Sequence, residues 1–149
     1  MKKSAIAALA LLAAAAPALS QNVKPENQIK FRRAAYTIMN LNFSSLDAMV
    51  ENKKPFNKDE AVRNADIVSL LSSIPKNYFG EGTDKDTRAK PEIWKNRADF
   101  DAKMDKMVSE AGKLPAIARG GDTAVLKKQV NDVGEACKAC HDEYRVKQQ

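Results

Sequence analysis

From Ile29 to Val50 the side chains of Ile29, Arg32, Tyr36, Met39, Phe43, Leu46 and Val50 recur at alternating steps of three and four. A helix brings such positions onto one face, and three heptads of the pattern make a seam long enough to bury against a second helix. Phe31, Ala35, Ile38 and Leu41 widen the stripe enough to face two neighbours. Pro25-Glu26 supplies the start, because proline suits a first-turn position and the acid suits the positive end of the helix dipole.

Three more segments carry helical periodicity, and none reads as a strand. After the breaker "KKPFN", Asn57 and Glu60 have capping-box spacing. Ala61, Ala65, Val68 and Leu71, with Ile67, Leu70 and Ile74, then form a helix that stops at Pro75. The connection Lys76 to Lys90 is long for a small domain, and such loops are often functional. A third helix is expected from Pro91, through Trp94, Phe100, Met104 and Ala111, with Pro115 kinking or ending it. Gly120-Gly121 breaks the chain, and Asp122 is a suitable N-cap for a last helix through Leu126, Val130, Val133, Cys137, Cys140 and Tyr144. Four helices and three connections predict an all-α domain, an antiparallel up-down-up-down four-helix bundle.

The first 20 residues have a different character. Lys2-Lys3, an apolar run from Ala5 to Ala16 and Ala18-Leu19-Ser20 read as an export signal cleaved after residue 20, leaving a domain over 21–149. The run is too short to cross a bilayer, which takes roughly 20 residues, so no membrane association is expected after cleavage. Lys2 and Lys3 account for part of the formal +6 charge. The remainder is dispersed, with no basic block of the kind that binds nucleic acid.

"EACKACHDEYR", Glu135 to Arg145, contains both cysteines and the one histidine of the chain. A disulfide across three residues of a helix would constrain almost nothing, since its entropic effect grows with loop length. Zinc wants a fourth ligand or an open position on less crowded donors, and a thioredoxin-like pair expects a strand leading into the helix. C-x-x-C-H is the spacing of c-type haem attachment. Cys137 and Cys140 then add to the two haem vinyl groups and His141 reaches the iron. Gly134, one turn earlier, lets the macrocycle lie close to the backbone. With no second histidine, a sixth ligand would have to be Met39, Met49, Met104 or Met107, with Met39 foremost. All four also sit at core spacing, where methionine is commonly filler. Five-coordinate iron is the other outcome.

"KPENQIKFRRAAYTIM", "FGEGT", "KPEIW" and "DVGEACKACHDEYR" resemble, in order and over the whole segment after the signal, the class II cytochromes c and specifically cytochrome c′, a family that itself exemplifies the up-down-up-down bundle. The resemblance implies a periplasmic homodimer with one haem c on the C-terminal helix. Its high-spin, five-coordinate iron would bind nitric oxide and carbon monoxide, and a periplasmic redox partner would supply electrons. Carried over, Cys137 and Cys140 hold the haem, His141 is the axial ligand and Arg145 lies beside the imidazole. Arg32 and Arg33 reach the haem edge and propionates, with Thr83 as a further propionate donor. Phe79 is a pocket wall. Tyr36 takes the position that caps the distal side, where many relatives carry an aliphatic residue. Lys76 departs from relatives with a bulky aromatic there, leaving the haem edge more open. This reading makes the chain a binding protein and not an enzyme: peroxidase chemistry would want a distal histidine. A six-coordinate His/Met electron carrier is the alternative.

Overall fold

The computed structural model describes residues 23–147; the expected export signal lies outside them. Four long helices, α1 (Pro25–Val50), α2 (Lys58–Ser72), α4 (Arg97–Ala111) and α6 (Thr123–Tyr144), form an all-α bundle, joined by two short helices, α3 (Glu92–Lys95) and α5 (Leu114–Gly120). Among the described residues β-pairing is limited to one isolated antiparallel bridge, Ala89 with Arg145. No helix there is long and apolar enough to cross a membrane.

The helix ends follow local chemistry. Asn57 Oδ1 accepts from the Glu60 amide at 2.9 Å, which caps α2. The reciprocal half of a capping box is not made, because the Glu60 carboxylate is held by Lys54 and the Ser45 hydroxyl instead. Asp122 Oδ1 accepts from the amides of Ala124 and Val125 at 2.9 and 3.1 Å and fixes where α6 begins. Gly121 just before it adopts the left-handed conformation, φ +79°, that ends α5.

Two expectations are corrected. The helix expected from Pro91 is broken at Asn96, whose φ of −114° and ψ of 48° are not helical. The break lets α3 and α4 each deliver an aromatic to Phe79: Trp94 with ring centroids 6.5 Å away and Phe100 at 4.9 Å. Trp94 Nε1 also donates to the carbonyls of Phe79 and Gly80. Pro115 neither kinks nor ends α4, which has already stopped at Ala111; it opens α5, where its missing N–H costs nothing.

Packing uses small residues at close approaches and large ones between them. Ala61, Ala65, Ala111 and Ala118 are fully buried, and Leu46, Phe100, Leu114 and Leu126 fill the space. Each of these large side chains contributes roughly 1.5–3 kcal/mol by leaving water. The stripe on α1 is narrower than its sequence suggested. Ala35, Met39, Leu46 and Val50 are buried, whereas Phe31, Ile38 and Leu41 are exposed, as is Leu70 on α2.

Candidate functional site

Asp122 sets the register of α6, and the buried Leu126, Val130 and Val133 fix its rotation. Cys137, Cys140 and His141 consequently share one face, half-buried, and all three line a cavity of about 870 Å³. The floor is apolar, with Met39, Phe43, Val68, Phe100, Met104 and Val133 among its residues. The rim carries charge: Arg33 from α1, Arg88 from the long connection, and Lys138, Asp142 and Arg145 from α6 and its end.

Burial sets the protonation states. It lowers the His141 imidazole to about 4, helped by the positive charges of Arg145 and Arg88, so the ring is neutral and keeps a lone pair at neutral pH. Burial raises the Cys137 thiol, and raises Cys140 to about 11 with a further push from Cys137. Burial likewise drives the Tyr36 phenol well above its ordinary range, with the Cys140 charge adding to it. Tyr36 is therefore a neutral hydroxyl facing the cavity, and Met104 Sδ, 3.8 Å away, is a weak acceptor for it.

The expected site residues separate into two groups. Tyr36, Phe79, Cys137, Cys140, His141, Arg145, Arg32 and Arg33 are brought to the cavity. Arg32, however, is 3 % exposed and three of its five N–H groups are taken: Nη1 donates to the Tyr78 carbonyl at 2.9 Å and to Thr83 Oγ1 at 2.8 Å, and Nη2 donates to the Thr83 carbonyl. Its guanidinium lies 4.3 Å over the Phe79 ring. Thr83 is not among the lining residues: it is fully buried, and its hydroxyl proton goes to the Gly80 carbonyl at 2.8 Å. Thr83 thus serves the site through Arg32, which ties the long connection to α1. Arg33 is exposed and donates through Nη2 to the Asp86 carbonyl. Of the four candidate methionines, Met39, Met104 and Met107 line the cavity, while Met49 is buried elsewhere. Lys76 pairs with Asp105 at 2.5 Å, outside the lining.

Arg88 was not singled out in the sequence. In a loop rich in charge nothing local distinguishes it; its place depends on the chain end folding back, with the Val146 amide donating to the Arg88 carbonyl at 2.8 Å.

The donor set fits a covalently held haem. An apolar floor suits the macrocycle and a cationic rim suits its carboxylates. A neutral imidazole stands beside two thiols, and at Gly134 a Cβ would meet nothing closer than Phe43 Cζ at 3.9 Å, leaving the space over the backbone to the cavity.

Comparison with known proteins agrees. The family described as Cytochrome C′ matches residues 27–145. A cytochrome c′ of Rubrivivax gelatinosus is 40 % identical over 126 residues, 83 % of this chain and 98 % of the relative. The crystal structure of cytochrome c′ from that organism superposes with a TM-score of 0.80 at 40 % identity, covering 85 % of this chain and 100 % of the other. The nitric oxide complex of a single-residue variant of cytochrome c′ from Alcaligenes xylosoxidans gives a TM-score of 0.78 at 36 % identity, covering 86 % and 100 %.

Gly134 allows a direct check. Gly134→Ala should fold at least as stably, since alanine gains up to about 1 kcal/mol in a helix. Gly134→Leu should keep the helix content but lower the fraction of chains whose intact mass includes haem; full loading of the leucine variant would show that the cofactor does not use this space.

Proposed function

Since the chain belongs to the cytochrome c′ family, we propose that it captures diatomic gases, nitric oxide foremost, in the periplasm, on five-coordinate iron. Its cofactor is covalently attached haem c. When bound, the haem would supply an iron able to take a small ligand. In this reading Cys137 and Cys140 would anchor the macrocycle and His141 would give a nitrogen to the iron.

The observation that carries the reading is Tyr36. Its ring is held on the cavity wall by α1, and its protonated hydroxyl has only a thioether 3.8 Å away as partner. A ring in that position hinders entry, and a hydroxyl with so weak an acceptor is ready to donate to a bound diatomic. A relative has been captured with nitric oxide, which supports extending gas binding to this chain. The chain has one histidine, which leaves no second imidazole to move protons, so the role proposed is binding without turnover. Residues 1–20 would direct export, and a periplasmic reductant would keep the iron ferrous.

The exposed Phe31, Ile38, Leu41 and Leu70 support a homodimer through α1 and α2, because apolar side chains of this size gain by leaving water.

Two outcomes are expected. Tyr36→Ala should speed carbon monoxide association by roughly tenfold, equivalent to about 1.4 kcal/mol of barrier, while Tyr36→Phe should keep the slow rate. Equal rates in all three proteins would remove Tyr36 as the guard. Leu41→Glu should run as a monomer in light scattering where the parent runs as a dimer; a monomeric parent would refute the dimer.

A further inference from the structure

Four guanidinium groups border the cavity, and they are not equally available. Arg32 is buried, with three of its five N–H groups on Tyr78 and Thr83. Arg33 is exposed, with one terminal nitrogen on the Asp86 carbonyl. Arg88 is half-buried and differently held. Its Nε donates to the Val146 carbonyl at 3.0 Å, while the Val146 amide donates to the Arg88 carbonyl at 2.8 Å. The adjoining Ala89–Arg145 bridge and the Lys90 amide on the Tyr144 carbonyl, at 3.0 Å, lock the same stretch against the end of α6. Backbone and side chain of Arg88 are thus both fixed by the C-terminal segment, and its two terminal nitrogens make none of the hydrogen bonds found among the described residues.

The charges around it favour an anion. Arg33 and Arg145 stand on the rim with Arg88, and the carboxylate there, Asp142, is already paired with Lys138. Haem brings two carboxylates, and a guanidinium with its outer edge available can hold one through two parallel bonds.

We propose that Arg88 is a haem-carboxylate ligand: its terminal nitrogens clamp a propionate at the cavity mouth, and the Val146 carbonyl on Nε aims them. The inference needs haem to be attached but is independent of whether the iron binds gas.

Resonance Raman spectra of the ferrous holoprotein read the propionate bending mode directly, and its pH titration reads how strongly the carboxylate is held. Arg88→Gln should shift the band and raise the pH of propionate protonation by about one unit. Arg88→Lys, which keeps the cation without the fork, should shift the band while retaining most of the titration. A chain ending at Arg145, which loses the Val146 anchor, should fall between the parent and Arg88→Gln. Intact mass and circular dichroism confirm that each variant is loaded and folded. A parental band and titration in Arg88→Gln would overturn the proposal, as would equal titration shifts in Arg88→Gln and Arg88→Lys, which would mark a merely structural role.

Discussion

Thiols three residues apart and an imidazole one step further can share a face only on a helix, and that single register constrains the whole molecule. Because α6 carries both thiols and the imidazole, it forms one wall, and the opposite walls must come from elsewhere. Asp122 fixes the start of α6, and Val130 and Val133 fix its rotation, so the functional face points at α1 and α4. The resulting cavity has the character the ligand requires, apolar below and cationic at the rim.

The opposing wall depends on one buried cation. A guanidinium inside a protein is costly unless its donors are met, and burial lowers the Arg32 pKa from its ordinary value. Two carbonyls, one hydroxyl and the face of Phe79 meet that cost. The effect is to draw the turn at Tyr78 and Thr83 onto α1, which places Phe79 in the cavity, edge to face with Phe100, itself edge to face with Tyr144, the Phe79–Phe100 and Phe100–Tyr144 centroids being 4.9 and 5.4 Å apart. The second restraint comes from the chain end, where residues 145–146 pair with the connection at 88–89. The long loop is therefore pinned at both ends of the cavity mouth.

How much of this was readable in advance follows from how local each signal is. The existence of the four long helices, the Asp122 cap and the C-x-x-C-H face are properties of neighbouring residues, and the chain displays them directly. The break at Asn96 is not local: it exists so that Trp94 and Phe100 can both meet Phe79 across the bundle. The burial of Arg32 is legible from its seam position, but the spacing does not reveal that Tyr78 and Thr83 accept from three of its five N–H groups. Thr83 belongs to the same partnership, and Arg88 depends on a contact 58 residues away. Among the apolar positions of α1, periodicity could not separate Met39, which faces the cavity, from Ile38 and Leu41, which face outward.

The proposed function requires an iron held by the His141 imidazole from one side, with the neutral Tyr36 phenol, not a ligand, on the other. The electronic absorption and magnetic circular dichroism spectra of the reduced and oxidised holoprotein at neutral pH test this most directly. High-spin, five-coordinate signatures in both states are the predicted result. A low-spin spectrum with a sulfur-to-iron charge-transfer band, lost in Met39→Leu, would contradict it and make the chain a six-coordinate electron carrier.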